Sequence, residues 1–202
     1  MNGRSKQLRT DAKRTAILVG AADAFRRLGA RRAGMREIAE ALGLSAGNLY
    51  YYFRNKDELV YYCQDRTLDA LLDVARTARA QYGSRGQLGS LIEGHLRVLL
   101  GEQASGVLHL EFDDLPAPLL KKVLVKRDRY ERLVRGLIAD GQKRGEVRPG
   151  DPKLDAFVLL GALNWTARWF RPGGAWTAEN VARHHRERLL DGLLAPQPWS
   201  RS

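Results

Sequence analysis

Nineteen residues near the N-terminus, MREIAEALGLSAGNLYYYF from Met35 to Phe53, read as two short helices joined by a tight turn, and the surrounding chain has to accommodate that unit. Ile38, Ala39 and Leu42 fall at i, i+1 and i+4 and give the first helix an apolar face, with Glu37 and Glu40 left to water. Gly43 supplies the turn, because a residue without a Cβ leaves a helix with positive φ at little cost. Ser45 stands where an N-cap belongs, its hydroxyl able to accept from an orphan backbone N–H. The second helix runs from about Ala46 to Tyr52. Its first turn, Ala46, Gly47 and Asn48, carries only small side chains and can approach base edges closely, while Leu49 and Phe53 anchor the helix inward. Tyr50, Tyr51 and Tyr52 then bring phenolic hydroxyls toward phosphates on the groove walls, so the unit is expected to bind DNA.

The flanks fit the same purpose. The opening MNGRSKQLRTDAK holds Arg4, Lys6, Arg9 and Lys13 without an apolar period, and suits either a basic arm along the minor groove or a solubilising tail. A helix from about Asp11, with Ile17, Ala21, Ala24, Phe25 and Leu28 on one face, ends near Gly29 and braces the other two. Arg31 and Arg32 follow in a loop, and Arg36 opens the next helix within reach of a phosphate or base. Asn55 has the place of an N-cap and Glu58 that of its capping-box partner. Asn55, Lys56 and the helix N-terminus together suit a phosphate oxygen. The segment ILVGAADAFRRLGARRAGMREIAEALGLSAGNLYYYFRNKDELVYY, Ile17 to Tyr62, resembles the N-terminal domain of TetR-family transcriptional regulators, most specifically through LSAGNLYYYFRNKDEL. The resemblance implies an all-α chain of about nine helices. A three-helix helix-turn-helix domain with its basic arm at residues 1–56 would precede a larger helical effector-binding and dimerisation domain at 57–202. It implies a homodimer on a double-stranded, palindromic operator, contacted through Arg36, Ser45, Ala46, Gly47, Asn48, Tyr50, Tyr51, Tyr52 and Lys56.

Charge agrees in its distribution more than in its total. The chain of 202 residues carries a formal +11, and residues 1–60 hold 12 Lys and Arg against 6 Asp and Glu, over half the excess in under a third of the length. A single cysteine, Cys63, excludes an internal disulfide framework and reads as a small buried residue in a reducing cytoplasm. The longest apolar run, AFVLLGALNW, is too short to cross a bilayer, and the N-terminus lacks a signal-peptide pattern. A soluble cytoplasmic protein without membrane partners is expected.

Downstream the pattern stays helical, without internal repeat. A long helix from Asn55 runs to about Ala80, and Gly83 to Gly86 make a loop. A helix from Leu88 to Leu100 shows Leu91, Ile92, His95, Leu96, Leu99 and Leu100 on its apolar side. One short helix between loops is expected across 101–118. Helices follow from Pro118 to Gly145, from Leu154 to Phe170, and from Trp176 or Thr177 to Leu194. The last two offer Leu154, Val158, Gly161 and Trp165 on one stripe and Val181, His185, Leu189 and Gly192 on another, for a four-helix dimer interface.

Two patterns with catalytic or metal connotations do not carry that chemistry. Gly43 to Gly47 spells G-x-S-x-G, but a nucleophile elbow needs a strand before its serine and REIAEAL has helical period. His109, Glu111, Asp113 and Asp114, or adjacent His184 and His185, lack metal-ligand spacing. No phosphate-cradling loop occurs, and no cofactor, metal or catalytic residue is expected. More informative is GALNWTARWFRPGGAWTAENV, Gly161 to Val181. Trp165, Arg168 and Trp169, at i, i+3 and i+4, either fill a helix interface, with Arg168 covering the indoles by cation–π contact, or form a wall for a ligand with flat and anionic parts. NWTARWFRPGGAWTAENV is similar to the branch of TetR regulators that control fatty-acid, steroid or aromatic-acid breakdown and respond to acyl-CoA thioesters. That resemblance implies an acyl-CoA effector. Leu96, Leu99, Leu100, Leu108, Phe112, Leu133 and Leu137 would line its acyl part, and Trp165, Arg168, Trp169 and Arg171, with Arg127 and Tyr130, its mouth. The expected function is a ligand-responsive repressor rather than an enzyme. The alternatives are a constitutive DNA binder without effector and a CoA-thioester-processing enzyme.

Overall fold

The computed structural model describes residues 13–14, 16–21, 24–25, 29, 32–101 and 114–194. Among them are eight helices and no strand: α1, helical at 13–14, 16–21 and 24–25; α2, Met35–Ala41; α3, Ala46–Tyr52; α4, Lys56–Arg79; α5, Gly83–Leu100; α6, Ala117–Lys143; α7, Pro152–Trp169; and α8, Ala178–Leu193. The all-α expectation holds. The short helix expected across 101–118 falls mostly on residues 102–113, outside the described residues, as do the basic arm before residue 13 and Leu28. No helix among the described residues is long and apolar enough to cross a membrane. The chain divides into two compact units, residues 1–68 with 98–126 and residues 69–97 with 127–202.

In the first unit, α1 buries Ile17, Leu18, Ala21, Ala24 and Phe25. It stops at Gly29, whose φ is 81° and whose N–H donates to the Phe25 carbonyl at 2.9 Å. A Cβ on Gly20 would lie 2.1 Å from Leu42 Cδ2, so the bare glycine lets α1 pass against the end of α2. α2 buries Met35, Ile38 and Ala39 and closes in a Schellman motif. Leu44 N–H donates to Ala39 O and Gly43 N–H to Glu40 O, each at 2.9 Å, with Gly43 at φ 62°. At the start of α4, Asn55 Oδ1 accepts from Glu58 N–H at 2.8 Å as expected of a cap. The reciprocal capping-box bond differs: Glu58 Oε2 accepts from Arg54 N–H at 2.8 Å, one residue further back. The same carboxylate faces the Arg14 guanidinium at 3.8 Å, which draws it away from the Asn55 amide. The first part of α6 is fastened to α4 by Lys126, 2.5 Å from the Asp65 carboxylate, and by Lys122 over the Tyr61 ring.

In the second unit, α5 begins at Gly83 instead of Leu88, so residues expected in a loop are helical. The cause is distant in sequence: the Glu146 carboxylate accepts from Ser84 N–H at 2.6 Å and supplies the cap that local residues lack. Those bonds, with Arg144 at 3.3 Å, hold the Glu146 carboxyl below its ordinary range. α6 ends before Gly145, at φ 71°. Asp151 caps α7 by accepting from Lys153 and Leu154 N–H, with Pro152 in the first turn, and Thr177 caps α8 by accepting from Asn180 N–H at 3.1 Å. Leu88, Leu91, Ile92, Leu96, Val134, Ile138, Leu159, Leu163 and Leu190 fill the core of this unit.

A Cβ at Gly43 would meet nothing within 4 Å among the described residues, so its replacement costs backbone conformation. Gly43→Ala is expected to lower unfolding free energy by about 1–2 kcal/mol in urea denaturation, and Gly43→Asn by less, because asparagine tolerates positive φ better.

Candidate DNA-binding face and effector site

α3 is positioned from both ends and from beneath. Ser45 Oγ accepts from Asn48 N–H at 3.1 Å, which leaves its own hydroxyl proton for an outside acceptor. The serine of the G-x-S-x-G pattern therefore caps a helix and follows α2 where an elbow would require a strand. Leu49 and Phe53 are buried, and this fixes the rotation of the helix. Gly47, Asn48, Tyr50 and Tyr51 consequently face outward, Tyr51 at 70% exposure, while Ala46 and Tyr52 are partly covered. Tyr51 and Tyr52 meet edge to face with ring centroids 5.0 Å apart. Arg36 is exposed on α2, and Lys56 lies in the first turn of α4, partly exposed. Among the described residues no atom outside its own helix backbone and chain neighbours lies within 4 Å of where a Gly47 Cβ would be, so the described residues leave the start of α3 open at that position.

Arg14 was not legible as part of this assembly. Its Nη2 donates to the Tyr52 carbonyl at 2.8 Å, satisfying an acceptor at the C-terminal end of α3 where a cation is also favoured by the helix dipole. The guanidinium carbon lies 5.2 Å from the Phe53 ring centroid and 5.6 Å from that of Tyr62. One side chain of α1 thus grips the end of α3 and the beginning of α4, through partners 38 to 48 residues away that leave no periodic signal in the sequence.

The expected effector residues separate into groups. Leu96, Leu99, Leu100 and Leu137 are buried and Leu133 is partly covered; Leu108 and Phe112 lie outside the described residues. At the end of α7, Trp165, Arg168, Trp169 and Arg171 are exposed. Arg168 lies 5.9 Å from the Trp165 ring centroid, and Trp169 meets Trp176 edge to face. Arg171 turns one nitrogen back to the carbonyls of Arg168 and Phe170, at 3.0 and 3.1 Å, and so helps to close α7. Arg127 is partly covered. Tyr130, expected beside these groups at a mouth, lies in the core at 4% exposure, with its hydroxyl 2.8 Å from His95 Nδ1. His95 Nε2 is 3.2 Å from Asn164 Oδ1. Burial, and secondarily the positive charge of Arg127, hold the His95 pKa down at about 4, although its bond to Asn164 acts in the opposite direction.

Along α7, Leu154, Phe157, Val158 and Trp165 form an exposed apolar stripe, each at least half exposed. On α8 the expected stripe divides. Val181 is buried, and His185 sits between Val181 O, Thr166 Oγ1 and the Trp169 ring, while Gly192 remains outside. His109, Glu111 and Asp113 are outside the described residues. Among the described ones no three His, Cys, Asp or Glu side chains are grouped as metal ligands would be.

Residues 17–63 match the family described as bacterial regulatory proteins, tetR family, and residues 83–193 match the tetracyclin repressor-like C-terminal domain. The HTH-type transcriptional repressor KstR2 of Rhodococcus jostii (strain RHA1) is 31% identical over 188 residues, covering 91% of this chain and 92% of that protein. The crystal structure of the TetR family transcriptional regulator PfmR from Thermus thermophilus superposes with a TM-score of 0.78 at 31% identity, over 87% of this chain and 97% of that one. AibR in complex with isovaleryl coenzyme A and operator DNA shares the fold, with a TM-score of 0.75 at 23% identity over 88% and 98% of the two chains.

The His95 geometry has a pH signature. The folded imidazole stays neutral down to about pH 4, whereas the unfolded one takes a proton near its ordinary 6.5. Between those values the unfolded state binds more protons, so the contribution is complete above pH 6.5 and lost as pH falls toward 4. Urea denaturation at pH 7 and pH 5 is expected to show a loss on the order of 2 kcal/mol that His95→Gln does not share.

Proposed function

Because the chain belongs to the tetR family of bacterial regulatory proteins, we propose that it is a cytoplasmic, ligand-responsive transcriptional repressor whose effector is an acyl-CoA thioester. The observation that carries the DNA part is the outward face of α3, small at its first turn and phenolic behind it, on a helix locked from beneath by Leu49 and Phe53. Residues 1–56 form the DNA-binding domain and residues 57–202 the effector and dimerisation domain. Asn48 and Gly47 read bases. Tyr50, Tyr51, Tyr52, Ser45, Arg36 and Lys56 hold the backbone, with Ala46 packed close against it. The exposed α7 stripe of Leu154, Phe157, Val158 and Trp165 pairs with a second copy about a two-fold axis. Two recognition helices then meet successive major grooves of a palindromic operator, about 34–36 Å apart.

Effector control is equilibrium binding without cofactor, metal or covalent step. The thioester prefers a conformation whose recognition helices no longer match the half-sites, and operator affinity falls by the difference in effector affinity between the two states. The acyl part is assigned to Leu96, Leu99, Leu100, Leu108, Phe112, Leu133 and Leu137, with Tyr130 among them. The nucleotide end is assigned to Trp165, Arg168, Trp169, Arg171 and Arg127. Two comparisons support this reading: the similar KstR2 is a repressor, and AibR, of the same fold, holds both isovaleryl coenzyme A and operator DNA.

Operator binding measured by fluorescence anisotropy across a salt series is expected to weaken for Lys56→Ala on every sequence, with the logarithmic salt slope reduced by about one. A change of preference at one base pair with an unchanged slope would reverse that assignment. Calorimetry with acyl-CoA compounds tests the effector: Arg168→Ala is expected to weaken thioester binding about tenfold while operator affinity without effector holds. Consumption of the thioester by the protein would instead support the enzyme alternative.

A further inference from the structure

His95, Tyr130 and Asn164 come from α5, α6 and α7 and meet inside the second unit, where the other large buried side chains are mostly aliphatic. Leu91, Ile92 and Leu96 flank His95 along α5, Val134 lies one turn beyond Tyr130, and Leu163 is next to Asn164; all five are buried. A polar trio in such surroundings costs more than leucines of similar volume unless its bonds are satisfied. Its arrangement is also not unique. A neutral imidazole carries one proton, so one nitrogen donates and the other accepts. In one wiring Nε2–H donates to Asn164 Oδ1, and Tyr130 spends its hydroxyl proton on Nδ1, consistent with separations of 3.2 and 2.8 Å. In the other, Nδ1–H donates to the Tyr130 oxygen, and the Asn164 amide turns over so that its NH2 donates to Nε2. Both wirings use the same heavy-atom positions. They differ in what Tyr130 can give: only in the second is its proton free for a ligand.

We propose that this trio senses the effector's carbonyl: a thioester oxygen takes the Tyr130 hydroxyl proton as a hydrogen bond, His95 changes tautomer, and the Asn164 amide inverts on α7. The inference rests on the acyl-CoA reading above and adds the group that recognises the thioester. Proton balance is simple. One proton leaves Nε2 for solvent, one arrives from solvent at Nδ1, the ring stays neutral, and Tyr130 keeps its O–H bond. Low basicity in the folded state keeps the ring in this one-proton form through the neutral range. Asn164 immediately precedes Trp165 on the helix that bears the exposed stripe, so the inversion registers occupancy on α7.

The test compares hexanoyl coenzyme A with S-hexyl coenzyme A, which keeps chain length and nucleotide but lacks the carbonyl, by calorimetry on the full chain. The wild type should prefer the thioester about tenfold, as one hydrogen bond to a buried donor provides. Tyr130→Phe keeps the ring and should bind the two alike, near the wild-type affinity for the thioether; that retained affinity is its folding control. With ¹⁵N-labelled histidine, the proton on His95 should sit on Nε2 in the free and thioether-bound protein and on Nδ1 with thioester. Equal wild-type affinity for both compounds, a preference that survives in Tyr130→Phe, or an unchanged His95 tautomer overturns the proposal and leaves the acyl-CoA reading standing. If neither compound binds, both fall together.

Discussion

A helix of seven residues cannot hold itself together, because fixing its first turn costs more than its few hydrogen bonds return, and α3 is such a helix. Its existence is borrowed from its surroundings. Leu49 and Phe53 give it a buried side, Ser45 satisfies a donor at its start, and Arg14 takes a carbonyl at its end while lying across Phe53 and Tyr62. The face turned to solvent is therefore set by the face turned inward. Where Asn48 and Tyr51 point follows from where Leu49 and Phe53 must go.

The second unit meets a different requirement. Its helices bury mostly aliphatic side chains, and a few polar contacts join segments distant in sequence. Glu146 caps α5 through Ser84, and His95 ties α5 to α6 and α7. The His95 contacts are costly if half made, because a buried polar group without its partner loses hydration with nothing in return.

What could be read from the sequence follows from the range of the forces involved. The caps at Ser45 and Asn55 and the terminating glycines 29, 43 and 145 act over three or four residues, and each stands where local reasoning puts it, while Thr177, read only as a possible first residue of the last helix, is its cap. The start of α5 lies ahead of where local pattern puts it because its cap comes from Glu146, 62 residues beyond Ser84. His95 was visible as a polar residue on an apolar helix side, yet its partners are 35 and 69 residues away and no spacing announces them. The stripe on α7 was legible because an exposed helix face keeps its period. That on α8 was legible only in part, since Val181 is buried and His185 turns toward Thr166 and Trp169 of α7 in its own chain.

Gly47 sits on the outer face of α3, and among the described residues nothing outside its own helix backbone lies within 4 Å of where a Cβ would be. Almost any side chain fits there without disturbing the packing below, and most would raise helix propensity, by up to about 1 kcal/mol for alanine. A position on the outer face proposed to read bases is thus uncoupled from the core, and a descendant of this chain could change side chains there without first having to recover a lost fold.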